Sequence, residues 1–200
     1  MLRLTMKWLL VLTLLSRSAS AAEPTLVEKA QQGDAAAQFE LGKKYYEGNG
    51  LLKDGPEALK WFRKSAGQNY ASAQHQLGVM YSKGDDVPAD PKEAVRWFRK
   101  AAEQDDMLGQ LSLGTALYMG MGVETNVGEA LVWFHKAAEQ ESEMAKFFIG
   151  ICLAEGIGGP ADPEQAALWL TWISAPLLRP ASARRKNYIF PERANLSSGA

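Results

Sequence analysis

Apolar residues recur along this chain with two nested periods. Within residues 71–84, Ala73, Leu77 and Tyr81 stand at i, i+4 and i+8, one stripe of an α-helix, and Gly84 follows where a left-handed C-terminal cap is wanted. After a loop, Asp90-Pro91-Lys92-Glu93 predicts the start of a second helix. Asp90 can cap it, Pro91 is tolerated in the first turn, and Glu93 is placed to close a capping box. The larger period is 36 residues: Gly42, Gly78, Gly114 and Gly150 step at that interval, and so do Trp61, Trp97, Trp133 and Trp169. A fixed period of this length means that one helix–turn–helix unit has been copied and that each copy buries its apolar face against a neighbour.

The other copies carry the same signals. Gly48, Gly120 and Gly156 match Gly84 as helix stops, and the start pairs are Asp54 with Glu57, Asn126 with Glu129, and Asp162 with Gln165. Ala58, Ala94, Ala130 and Ala166 precede each tryptophan by three residues, setting a small side chain beside a large one on one helical face. The tryptophans therefore read as core. Glycine inside a helix costs about 1 kcal/mol against alanine, so its fourfold use at Gly42 and its copies predicts close contact between helices.

The run Ala-x-Ala-Gln-x-x-Leu-Gly-x-x-Tyr-x-x-Gly, followed by Asp-x-x-x-Ala-x-x-Trp-x-x-Lys-Ala-Ala, resembles the Sel-one-like repeat family, relatives of the tetratricopeptide α-solenoids. The resemblance covers four units, 34–69, 70–105, 106–141 and 142–174, together residues 34–174. The third departs at Gly109 and Leu117, and the fourth at Leu153 and at Trp172, which stands where the others have lysine. What the resemblance implies is an all-α fold, a right-handed α-solenoid of about four 36-residue helix–turn–helix repeats. It also implies a scaffold that binds other proteins on a concave surface lined by the first helices.

Both ends have their own character. Arg3 and Lys7, the apolar run Trp8–Leu15 and the small residues Ser16–Ala22 form the pattern of a cleaved secretory signal over residues 1–22, too short an apolar stretch to span a bilayer. The expected address is periplasmic or secreted, and no stable membrane span is expected. Residues 23–33, in register with the ends of second helices, predict an N-terminal capping helix. In the fourth unit, Leu168-Trp169-Leu170-Thr171-Trp172-Ile173 is more apolar than its counterparts, whereas terminal repeats need a polar outer face. The tail, 175–200, partly disordered at its end, is the expected cover through Leu177, Leu178, Tyr188, Ile189 and Phe190; self-association through the fourth repeat is the alternative.

Composition narrows the function. The chain has 46% hydrophobic and 22% charged residues, an ordinary globular balance. Without residues 1–22 it would carry 19 Lys+Arg against 23 Asp+Glu, a mildly acidic balance that argues against nucleic-acid binding. Cys152 is the sole cysteine, which rules out an internal disulfide, and its helical position reads as core. His75 and His135 have no histidine or cysteine at ligand spacing on their own helices, so no metal and no cofactor is expected. A secreted, cysteine-rich subgroup of the family is associated with β-lactam binding or hydrolysis. Its members carry a cysteine pair in every repeat, which this chain lacks, so no catalytic residues are assigned.

The candidate binding residues follow from helical geometry. With Ala37, Leu41 and Tyr45 facing inward, Phe39, Lys43 and Tyr46 are expected on the opposite face, free of packing duty. Their counterparts are His75, Val79 and Ser82, then Leu111, Thr115 and Tyr118, with Phe147, Ile151 and Ala154 in the fourth unit. The expected function is a non-catalytic adaptor that holds a protein or peptide partner of the cell envelope. A small-ligand binder or enzyme of the β-lactam or cell-wall type, and a homotypic assembly, stand as alternatives.

Overall fold

In a computed structural model the described residues are 24–174, and all their regular structure is α-helical. The predicted signal segment and the tail lie outside these residues. In chain order the helices are α1 (Leu26–Gln31), α2 (Ala35–Glu47), α3 (Gly55–Gly67), α4 (Ala71–Lys83), α5 (Pro91–Glu103), α6 (Met107–Met119), α7 (Val127–Glu139), α8 (Glu143–Glu155) and α9 (Pro163–Ser174). They divide into two compact units, one ending at Ser65 and one beginning at Ala66, so that the boundary falls inside α3.

In the first unit, Ala30, Ala37, Leu41 and Trp61 form the buried centre, with Leu26 of α1 and Tyr45 packed against it. Ser65, itself buried, donates to the Ala35 carbonyl at 2.7 Å. Thr25 and Glu28 form a complete capping box at the start of α1. In the second unit the core runs through Ala94, Phe98, Leu113, Leu117, Trp133, Phe134 and Ile149. Apolar burial of this kind supplies most of the folding free energy.

The helix stops fall where the sequence puts them. Gly48, Gly84, Gly120 and Gly156 cap their helices with φ between 68° and 77°. The mid-helix glycines answer to close contact, and the contacting group is specific. A methyl on Gly42, Gly78 or Gly114 would lie within 2.8 Å of the ring of Phe62, Phe98 or Phe134, while at Gly150 it would meet Leu170. The second helix lays the residue after its tryptophan flat on the glycine face of the first.

The helix starts differ from expectation in one respect. Asp54, Asp90, Asn126 and Asp162 each accept the predicted hydrogen bond from the residue three positions on, at 2.9–3.0 Å. The reciprocal half of the box does not form. The cap residue's own N–H donates instead to a carbonyl of the preceding helix, Tyr45, Tyr81, Leu117 or Leu153, at 2.8–2.9 Å. This bond closes each hairpin and frees the glutamate. Glu57 and Glu93 turn to Lys60 and Arg96. Glu129 has Val132 at that position and bonds Arg99 at 2.8 Å and the Trp133 indole at 3.3 Å. The indole N–H groups of Trp61 and Trp97 are buried with no partner among the described residues.

The tryptophans are core to different degrees. Trp61 and Trp133 are buried, whereas Trp97 and Trp169 are half-buried. Lys64, Lys100 and Lys136 lie 4.2–4.3 Å above the rings of Trp61, Trp97 and Trp133, a cation–π cover for the outer indole face. Trp172 takes that lysine's place in the sequence of the fourth unit.

Candidate partner-binding surface

The predicted surface residues carry packing work that the helical wheel did not assign to them. In the first unit, Phe39 and Tyr46 are half-buried with ring centroids 5.9 and 6.4 Å from Phe62. Lys43 lies between them in sequence, paired with Glu40 at 3.5 Å and 5.5 Å from the Phe39 ring. In the second unit, Val79, Leu111 and Tyr118 pack against the core. Thr115 donates to the Leu111 carbonyl one turn back, at 2.8 Å. Of the nine residues only Ser82 is exposed. The expectation that these positions are free of packing is therefore corrected. A phenylalanine laid across the mid-helix glycine rises beside positions 39 and 46 and covers them from one side.

His75 is a stitch between repeats. Its Nε2 hydrogen-bonds Ser112 Oγ on α6 at 3.1 Å, and its ring lies 5.7 Å from Phe98. His135 packs its ring edge-on against Trp169 at 5.6 Å. It also lines a recess of about 260 Å³ with Leu131, Ile149, Cys152 and Asp162. A second recess of about 390 Å³ is polar, bordered by Asp105, Gln110, Lys136, Glu139 and Gln140. There Gln140 donates to Gln110 at 2.9 Å and to the Asp105 carbonyl at 3.0 Å, so its groups serve the junction between repeats. Among the described residues no three His, Cys, Asp or Glu side chains are grouped to hold a metal. No helix of that region is long and apolar enough to cross a membrane.

Burial sets the titration of these groups. Desolvation pushes Cys152, 2% exposed, up, with Glu155 adding to it, which keeps the thiol protonated and unreactive near neutral pH. Desolvation holds His75 and His135 below the ordinary histidine range, and for His75 Asp106 opposes part of that effect. The unfolded chain therefore takes up protons at both rings before the folded chain does. Stability is fully present above the ordinary range and falls as pH drops through it. We expect the urea midpoint to decline from about pH 7 to about pH 5, and the double variant His75→Gln, His135→Gln to flatten the decline. An unchanged slope would refute the assignment. Glu129, held low chiefly by its hydrogen bond from Arg99, gives up its stabilisation only at more acidic pH and does not obscure the test.

Two columns of the repeat escaped the sequence reading, which singles out Leu168 alone among their residues. Leu108 and Met144 share one register position on the first helices, Val132 and Leu168 share another on the second, and all four are exposed. The first two units have Ala36 and Ser72, and Lys60 and Arg96, at those positions. Comparing the copies column by column would have shown apolar residues replacing small and charged ones in the last two repeats.

The sequence profile of the Sel1 repeat matches residues 35–70, 71–106, 108–142 and 144–171. The chain belongs to the Sel1 repeat family. This places its hairpins in the α-solenoid class that the resemblance implied. Among similar proteins is the secretory immunoglobulin A-binding protein EsiB of Escherichia coli, 48% identical over 40 residues, which are 20% of this chain and 8% of that protein. The crystal structure of c5321, a protective antigen of uropathogenic Escherichia coli with an SLR fold, is 34% identical with a TM-score of 0.72, covering 76% of this chain and 32% of that one. A Sel1 repeat protein from Oxalobacter formigenes is 32% identical with a TM-score of 0.70, covering 76% and 62%. The chain thus spans less than two thirds of the length of each of these relatives.

Proposed function

We propose that this Sel1 repeat chain is a non-catalytic, exported protein-interaction module of the bacterial envelope, which holds a protein or peptide partner on the faces of its first helices. The carrying observation is the contrast between columns of the repeat. The positions of Ala37, Leu41 and Gly42 stay apolar or glycine through all four copies, while the positions on the other side of the first helices change from Phe39, Lys43 and Tyr46 to His75, Val79 and Ser82 and then to Leu111, Thr115 and Tyr118. Positions that vary in chemistry on a constant scaffold suit recognition of one particular partner. The relative that binds secretory immunoglobulin A supports a protein as the ligand. The signal-like first 22 residues support export. Both histidines and the cysteine are committed to packing, in keeping with a role without chemistry.

The test uses the side chains that can change without disturbing the core. Affinity capture from crosslinked cells with residues 23–200 is expected to recover a partner. Lys43→Glu and Ser82→Arg, made singly, should each reduce the capture about tenfold, the effect of ~1.4 kcal/mol. Lys92→Glu, an exposed change on a second helix, should leave it intact. Equal recovery with all three variants would remove these faces from the binding surface.

A further inference from the structure

The first-helix face grows more apolar toward the end of the chain. On α8, Met144, Phe147 and Ile151 stand at i, i+3 and i+7, one side of the helix, where α2 carries Ala36, Phe39 and Lys43. Met144 is 54% and Phe147 41% exposed. The Phe147 ring lies 6.2 Å from Phe148, and Phe148 lies 5.7 Å from Tyr118 of α6. The aromatic surface therefore continues from one repeat to the next. An apolar patch of this kind left in water is unfavourable and calls for an occupant.

The charge of the same region limits what that occupant can be. Residues 103–174 hold eleven acidic side chains against two lysines, Lys136 and Lys146, a net charge of −9. Glu143 and Glu155, both exposed, sit at the two ends of α8. An occupant with matching chemistry is apolar and basic. Residues 175–200 have that composition: Arg179, Arg184, Arg185, Lys186 and Arg193 against Glu192, with Leu177, Leu178, Tyr188, Ile189 and Phe190 among them. The connection is short enough. From Ser174 to Tyr188 an extended chain reaches about 45–50 Å, whereas a helix of 13 residues such as α8 is about 20 Å long.

We propose that residues 177–193 occupy the α8 face of their own chain, with Tyr188, Ile189 and Phe190 against Met144 and Phe147 and the arginines toward Glu143 and Glu155. Tethering favours this segment over a second copy, because a linked segment acts at an effective concentration in the millimolar range. A partner for this part of the surface must then displace the segment. The inference stands on exposure and charge and does not depend on the identity of any partner.

A photo-crosslinking amino acid placed at position 147, or separately at 168, of the full chain tests it. From position 147 we expect a crosslink within one molecule to the tryptic peptide 187–193, with a yield that does not change with protein concentration. Charge reversal by R184E/R185E, which keeps the cleavage site at Lys186, should reduce that yield at least tenfold, with circular dichroism confirming an unchanged fold. A crosslinked dimer whose yield rises with concentration would put a second copy on the face and overturn the proposal. So would a crosslink to 187–193 from position 168 alone, or none from position 147.

Discussion

Substituting Phe134 by alanine is expected to destabilise the protein by about 3–5 kcal/mol, the range for truncating a fully buried phenylalanine. The ring is fully buried, lies flat against Gly114, and stacks on Phe148 with centroids 4.7 Å apart and planes 3° from parallel. Its loss opens a cavity between Gly114 and Phe148, and the rigid backbone of α6 cannot close the side formed by glycine. The counterpart in the last repeat, Leu170, is half-buried, so Leu170→Ala should cost only about 1–2 kcal/mol on the same area argument. Equilibrium urea unfolding of the two variants measures the difference. Equal losses would mean that the aromatic seat on glycine adds nothing beyond ordinary burial.

The second large effect belongs to Gly122, in the loop between α6 and α7. Its φ is +72°, and a Cβ there would lie 2.2 Å from the Pro91 carbonyl oxygen and 2.3 Å from the Pro91 carbonyl carbon. Alanine would pay about 1–2 kcal/mol for the left-handed backbone and, in addition, push the start of α5 away. Gly50 holds the same register position with φ +78° and open space around it, so Gly50→Ala pays the backbone term alone. Gly158 falls between them, its Cβ position 2.8 Å from Val127 Cγ1, part of a side chain that can yield. We expect the loss for Gly122→Ala to reach about 3 kcal/mol, adding the strain of overpacking, and the order of stabilities to be Gly50→Ala above Gly158→Ala above Gly122→Ala. Asp86 occupies the fourth of these positions with φ 59°, direct evidence that this backbone shape alone is tolerable.

The contrast between those two predictions shows what the sequence made legible. Helices, their stops and the period follow from local chemistry that each copy repeats, so Gly84 and Asp90 could be assigned from spacing alone. That a phenylalanine ring fills the space over Gly78 was half visible: repetition of a costly residue announced a close approach without naming the approaching group. Gly109 was invisible in the same way. It looked like a lapse from the alanine of the other copies, but a methyl there would meet Ala101 Cβ at 2.7 Å and Ala102 N at 2.8 Å. The candidate surface was legible in register and not in exposure, because a helical wheel treats each helix as isolated. His75 and Tyr118 are claimed by Ser112 and Phe148 of other helices, and distances of that sort arise only once the hairpins are stacked.

Lys146 constrains how such a chain can be rearranged. Where the other three copies have Gln38, Gln74 and Gln110, this lysine is 2% exposed, its ammonium held by Glu141 from the end of the third unit and by Glu143 from its own. Glu143 would travel with a transplanted fourth unit, but Glu141 would stay behind. The junctions before the first and second units offer the uncharged Gly33 and Asn69 at that place, and the one before the third offers another carboxylate, Asp105; a buried ammonium that loses a partner is costly. Copies produced by duplication are thus no longer interchangeable words. This one can follow only an acidic neighbour, and the order of the units is written into the chain as a grammar.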